Sequence, residues 1–379
     1  MLKEDKIKLL QDIVQIKSVN EKEEEVANYL QKVLAKYGID SHLVNYAPGR
    51  SNLIAELGED GGKVLGFTGH LDVVEAGDES QWTYPPFDAH IEGNKMYGRG
   101  TTDMKSGVAA MVIAMIELKE KEVPLKGKIK LLATVGEEVG ELGAMQLTEQ
   151  GYADELDALI IGEPTNYNVA YTHMGSINYT VISRGKGAHS SMPKEGINAI
   201  NYLNQFITLA NDEMDAVTKG YQDDTLGRTI HNVTLIEGGV QVNSIPESAR
   251  LQANIRSIPS FSNTQIIELL QGVVDKLNKQ TDCSLELIID FNKEAVKSPK
   301  DSGVIMSIQR VSDKDLPLIG ISATTDAAEF TKSKTRFDVA IYGPGEPTLP
   351  HQIDEYVEID NYLDMIDQFQ AVAIDYLNN

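Results

Sequence analysis

Two histidines and three acidic residues stand in short motifs along this chain of 379 residues. They are His70 in Gly-His-Leu-Asp, Asp103 in Gly-Arg-Gly-Thr-Thr-Asp, Glu138 in Gly-Glu-Glu, Glu163 in Gly-Glu-Pro and His351 in Leu-Pro-His-Gln. Two imidazoles and three carboxylates suit a pair of zinc-like ions that share one bridging carboxylate, which is the equipment of a hydrolase. Taken singly, each motif has a plainer reading. His70 could be a structural or surface histidine, the Glu137-Glu138 doublet a solvated face, Glu163 a turn carboxylate before Pro164, and His351 a loop residue. Asp72 adds a specific expectation: its carboxylate accepts a hydrogen bond from one ring nitrogen of His70 and leaves the other for a metal.

The elements that carry these residues favour a joint site. Apolar runs of strand length occupy residues 52–57, 64–68, 129–135 and 156–161. Residues 107–118, rich in Ala, Met, Val and Ile, read as a helix packed on a sheet. His70, the Glu137-Glu138 pair and Glu163 each follow one of the strands. In open α/β sheets ligands bind beyond the carboxyl ends of strands, so three strands would deliver their groups to one edge. Asp103 lies on a loop between Gly100 and a helix from about Lys105.

Around this layer the chain is organised as two domains. Residues 4–37 have helical spacing interrupted at Ser18-Val19-Asn20, and a last helix covers 362–376. The middle third changes rhythm: a strand at 177–183, a helix at 199–217, strands at 232–237 and 250–256, a helix at 263–277 and a strand at 284–290. That βαββαβ order forms a sandwich of two helices on an antiparallel sheet. The expected fold class is therefore α/β, with residues 1–175 and 293–379 forming the metal-binding domain and 176–292 an inserted domain.

Composition excludes several functions. Lys plus Arg number 34 against 57 Asp plus Glu, a net charge of −23, which repels nucleic acid and anionic membrane. Cys283 is the only cysteine, so an intramolecular disulfide and a multi-cysteine zinc site are both ruled out. Met1 leads into an amphipathic helical pattern without an apolar signal core, and no apolar run approaches the roughly 18 residues of a membrane span. The expectation is a soluble cytoplasmic protein acting on a small molecule.

The motifs, taken in order, resemble the dinuclear zinc amidohydrolases of peptidase family M20, which include succinyl-diaminopimelate desuccinylase, acetylornithine deacetylase, aminoacylase and a glutamate-releasing carboxypeptidase. The matching segments are Gly69 to Val74, Tyr97 to Lys105, Gly136-Glu137-Glu138, Gly162-Glu163-Pro164, and Gly343-Pro344-Gly345 with His351. The resemblance implies a zinc-peptidase-like catalytic domain holding two Zn2+ per subunit, with Co2+ or Mn2+ as alternatives. His70 and Glu163 would hold one ion, Glu138 and His351 the other, and Asp103 would bridge them. It also implies Glu137 as general base, Asp72 as a partner of His70, and the ferredoxin-like insert as a lid and homodimerisation domain. His189, in Gly-Ala-His-Ser-Ser, would stabilise the oxyanion from that domain. Arg256 would hold a substrate carboxylate, with Asn243 near it and Thr325 on a loop that is often glycine-richer in relatives; Asn254 stands where many relatives have Asp.

The activity implied is hydrolysis of an N-acyl amino acid, with succinyl-diaminopimelate desuccinylase first, acetylornithine deacetylase or another deacylase second, and a dipeptidase or carboxypeptidase third. A non-catalytic metal- or ligand-binding protein on the same scaffold is the alternative from another class. Glu137 argues against it, since a carboxylate outside the ligand set is useful mainly for proton transfer. Ser190-Ser191 beside His189 does not make a serine triad, because no nucleophile elbow is present. His42, His90, His173 and His231 lie outside the ligand motifs and read as structural, and Trp82 as a cleft-rim or loop-packing residue.

Overall fold

The computed structural model describes residues 1–280, 282–312 and 316–379. The chain divides into two compact units. One comprises Met1–Tyr171, Ser298–Ile319 and Thr325–Asn379, the other Thr172–Lys297 with Gly320–Thr324.

The first unit is built on a mixed sheet whose strands lie in the order Ser41–Ala47, Arg50–Gly58, Lys128–Thr134, Val64–His70, Ala158–Ile161, Asp338–Ile341 and Val169–His173. The four in the middle are parallel to one another. Those four are shielded from water on both faces, which is why they read as continuous apolar runs rather than alternating ones. The helix Ser106–Glu120 is buried along nearly its whole length. It packs against Ile359–Asn378 and Lys3–Gln15 in a core that includes Val108, Met111, Met115, Phe67 and Phe369. The Phe67 and Phe369 rings lie 5.5 Å apart. A fully buried aliphatic or aromatic side chain contributes about 1.5 to 3 kcal/mol, so this core holds the sheet rigidly beneath whatever its strand ends carry.

The second unit runs Gly175–Arg184, Ala199–Thr218, Ile230–Gly238, Ser248–Ser257, Asn263–Gln280 and Ser284–Lys293, which is the βαββαβ order. Its antiparallel sheet has the order Ile230–Gly238, Ser248–Ser257, Gly175–Arg184, Ser284–Lys293. Alternate residues of Ser248–Ser257 are buried, including Leu251, Ala253 and Ile255, and they meet Leu203, Phe206, Ile266 and Leu270 of the two helices. The first helix starts at Asn198, whose side chain accepts hydrogen bonds from the N–H groups of Ile200 and Asn201 at 3.0 and 3.3 Å. The α/β class and the inserted βαββαβ order are both as expected from the sequence. No helix among the described residues is long and apolar enough to cross a membrane.

Candidate metal centre

The central parallel strands end level with one another. His70 is opposite Thr134, and Ile161 is opposite both Thr68 and Ile341. Each end therefore launches a loop from one edge of the sheet: His70 itself, then Gly136 to Glu138, then Glu163, and finally the segment from Gly343 to His351. The fourth delivery comes from Asp338–Ile341, a four-residue strand that the sequence reading missed. Gly343 fits there because a Cβ on it would come within 2.3 Å of the Gly162 carbonyl oxygen and 2.5 Å of that of Glu163.

These loops bring the five candidate ligands together. His70 Nε2 lies 3.0 Å from Asp103 Oδ1 and 3.6 Å from Glu163 Oε1. His351 Nε2 lies 3.5 Å from Asp103 Oδ2 and 3.1 Å from both carboxylate oxygens of Glu138. The two oxygens of Asp103 thus face different imidazoles. Ligand atoms of His70, Asp103 and Glu138 all fall within 4.8 Å of one another. On its other side the His70 ring places Nδ1 2.9 Å from the Asp72 carbonyl oxygen, which can only accept, so Nδ1 carries a proton and Nε2, the nitrogen bonded to Asp103, is the one that would serve a metal.

The charges of the cluster act on one another strongly. Burial works against a charged His70, yet its hydrogen bond to Asp103 and the negative field of Glu163 and Asp72 outweigh this and push its pKa well above the ordinary value. Hydrogen bonds to Asp103 and Glu138 raise His351 to about 10. Burial tends to raise Asp103, but the two imidazoles prevail and hold it well below the usual carboxylate range. Glu163 is pushed well up, first by burial and then by the charge of Asp103. Burial also pushes Glu137 well above the usual range, reinforced by Glu163, Asp326 and Glu138 and opposed by His70. A field that favours protons on two imidazoles favours divalent cations for the same reason, and this set of nitrogen and oxygen donors fits zinc-like ions.

Several placements differ from the sequence reading. The Asp72 carboxylate is not the hydrogen-bond acceptor of His70: its nearer oxygen is 3.7 Å from Nδ1, while the backbone carbonyl makes the bond. The carboxylate instead accepts from the backbone N–H groups of Glu137 and Glu138 at 3.2 and 3.1 Å and so holds that turn in place. Thr325 is buried, and its hydroxyl accepts from the N–H of Ala327 at 3.3 Å, a local turn bond. Its neighbour Asp326, which sequence reasoning passed over, is buried within electrostatic reach of Glu137 and Glu163 and accepts from the Thr134 hydroxyl at 2.5 Å. Glu355 was missed as well; it is fully buried and bonded to the loop that bears Asp103.

The remaining candidates belong to the second unit. A short ladder pairs Ala188–His189 with Ser244–Ile245, and Ser190 N–H donates to the Asn243 carbonyl at 3.0 Å, so His189 and Asn243 sit side by side, both exposed. His189 Nδ1 accepts from the N–H of Ser191 at 3.2 Å and lies 2.8 Å from its hydroxyl. An N–H on Nδ1 would collide with that backbone donor, so the neutral ring carries its proton on Nε2. Arg256 is half-buried, and no carboxylate lies within ion-pair distance of it among the described residues; burial alone lowers its pKa from the ordinary value. The histidines outside the motifs have local partners: His42 with Tyr152, His90 stacked on Tyr84, His173 with the Met174 carbonyl, and His231 with the Tyr179 hydroxyl. Trp82 packs over Arg99, with the guanidinium 5.1 Å from its ring.

Residues 66–375 match the family model described as peptidase family M20/M25/M40. The chain belongs to this family, and it is a hydrolytic metalloenzyme acting on amide bonds. It is 38% identical to a probable succinyl-diaminopimelate desuccinylase of Staphylococcus epidermidis, over 99% of this chain and 98% of the relative. Among solved structures it is similar to aminopeptidase PepT of Bacillus cereus, with a TM-score of 0.81, 20% identity and full coverage of both chains. It is also similar to a dinuclear metal-binding M20 peptidase of Bacillus subtilis, with a TM-score of 0.77, 15% identity, and 99% and 98% of the two chains covered.

Proposed function

We propose that this enzyme hydrolyses the amide bond of an N-acyl amino acid, with N-succinyl-diaminopimelate as its substrate and two zinc ions as its cofactor. The observation that carries the reading is Asp103, whose Oδ1 and Oδ2 face the Nε2 atoms of His70 and His351 respectively. That is the disposition required of a carboxylate bridging two ions, with Glu163 beside one imidazole and Glu138 beside the other. Ions held there would supply Lewis acidity toward the scissile carbonyl and toward a water molecule.

The protein's own groups divide the remaining work. Glu137, whose backbone is fixed by Asp72, takes the proton from the attacking water and delivers it to the departing amine. His189 donates through Nε2–H to the oxygen that gains charge at the tetrahedral stage, in the tautomer that Ser191 sets. Arg256, with no carboxylate within ion-pair distance among the described residues, is suited to a substrate carboxylate, which a guanidinium can grip bidentately. Asn243 and the loop at Thr325 belong to the same substrate-recognition group in this reading.

The identity to a probable succinyl-diaminopimelate desuccinylase along almost the whole of both chains supports this substrate over other acyl amino acids. The subunit is read as half of a homodimer, because the edge strand Ile230–Gly238 is paired on one side only and exposes Leu235 and Ile236. The test is turnover of the zinc-loaded protein on N-succinyl-diaminopimelate, N-acetylornithine and dipeptides. The first should have the highest kcat/KM. Preference for either of the others would reassign the substrate, and inactivity on all three with metal bound would end the proposal.

A further inference from the structure

One buried carboxylate has no place in the ligand set or the proton transfer. Glu355 lies four residues beyond His351 and has no solvent exposure. Its Oε1 accepts from the backbone N–H groups of Thr102 and Asp103 at 2.8 and 3.0 Å, and Gly100 N–H lies 3.1 and 3.0 Å from its two oxygens. Oε2 receives Arg99 Nη1 at 2.7 Å. A single carboxylate thus gathers the donors of Arg99, Gly100, Thr102 and Asp103 into one anion-binding loop. The guanidinium also reaches the carbonyls of Gln352 at 3.2 Å and His351 at 3.4 Å. The loop bearing Asp103 and the loop bearing His351 are therefore joined behind the site by Arg99 and Glu355, as well as in front by their own side chains.

We propose that Glu355 is a positioning residue for the metal pair: it fixes the backbone of Asp103 so that its carboxylate presents one oxygen to each ion, and through Arg99 it ties that loop to His351. This rests on the dinuclear reading of the site. Asp103 needs such a hold because its φ of −118° and ψ of 96° depart from the helical geometry that resumes at Ser106. The local conformation is demanding on the other side too. Gly100 has φ +87°, and a Cβ there would meet Val73 at 2.5 Å. Contacts that do not use the Glu355 side chain remain when it is changed. Thr102 Oγ1 still donates to the Tyr356 carbonyl at 2.5 Å, and Tyr97 still pairs with Tyr356 in an antiparallel ladder. A variant at 355 can therefore lose the clasp and keep the fold.

The test uses full-length protein stripped of metal and reloaded with Mn2+, read by binding titration and by the exchange-coupled electron paramagnetic resonance signal of a bridged ion pair. Wild type should bind two ions and give the coupled signal. Glu355→Gln turns an amide N–H toward donors, and it should bind Mn2+ about 10- to 100-fold more weakly with the coupled signal reduced, the usual range when a group supporting a ligand is removed. If Glu355→Gln fails to fold by circular dichroism, Arg99→Lys is read in the same way, since an ammonium cannot span Glu355 and both carbonyls. Wild-type affinity and coupling in whichever variant is folded would overturn the role of Glu355 while leaving the dinuclear site standing. Wild-type protein that binds a single ion without coupling would overturn the dinuclear reading and this inference with it.

Discussion

Glu137→Gln separates the proton-transfer role from metal binding. The change replaces one oxygen by an amide of nearly equal volume and leaves the backbone bond to Asp72 Oδ1, at 3.2 Å, untouched. The five side chains that face one another across the site are unchanged, so both ions should still bind. One negative charge leaves a crowd that includes Glu163, Asp326 and Glu138, so the fold has no reason to weaken. What disappears is proton transfer, which contributes about 10² to 10⁴ in rate, or about 2.7 to 5.4 kcal/mol of barrier at about 1.36 kcal/mol per decade. The expected result is a kcat on N-succinyl-diaminopimelate reduced by that factor, a KM within about threefold of wild type, and unaltered zinc content by elemental analysis. A fully metallated variant with kcat within about threefold of wild type would refute the assignment of Glu137 as base.

Two further outcomes follow from particular contacts. Ser191→Ala removes the hydroxyl partner of His189 Nδ1 but keeps the backbone N–H, a loss of about 1 kcal/mol, so kcat should fall about fivefold; a loss beyond about a thousandfold would instead indicate a serine nucleophile. Burial lowers His173 to about 4 against an unfolded value of about 6.5. On acidification the unfolded chain takes up that proton first, so the stability it contributes is complete above about pH 6.5 and drains as pH falls toward 4, by up to about 3 kcal/mol. Urea unfolding between pH 7.5 and 4.5 should show a shallower acid loss for His173→Gln than for wild type, and equal slopes would contradict the assignment.

The parts of the molecule legible in the sequence are those where burial imposes a pattern. Val64–His70, Lys128–Thr134 and Ala158–Ile161 are buried along their whole length and stand out as apolar runs, and the ligands at their ends stand out with them. In the second unit the helices Ala199–Thr218 and Asn263–Gln280 and the strand Ser248–Ser257 stand out because each has one buried and one more exposed face. Ser41–Ala47 was illegible because only Val44 in it is buried and polar residues interrupt it, and Asp338–Ile341 because four residues establish no period. Glu355 and Asp326 could not be found by type or spacing. The groups that bond to them include backbone N–H groups and Arg99 for Glu355 and a distant threonine for Asp326, brought near only by the fold. Asp72 shows the same limit: the His-x-Asp spacing was informative, yet the carbonyl rather than the carboxylate meets the ring.

The bridging geometry of Asp103 is open to direct observation by anomalous scattering at the zinc edge from a crystal of the zinc-loaded protein. The expected map has two peaks per chain, one against His70 and Asp103 Oδ1, the other against His351 and Asp103 Oδ2. A single peak, or two peaks that do not share Asp103, would contradict it.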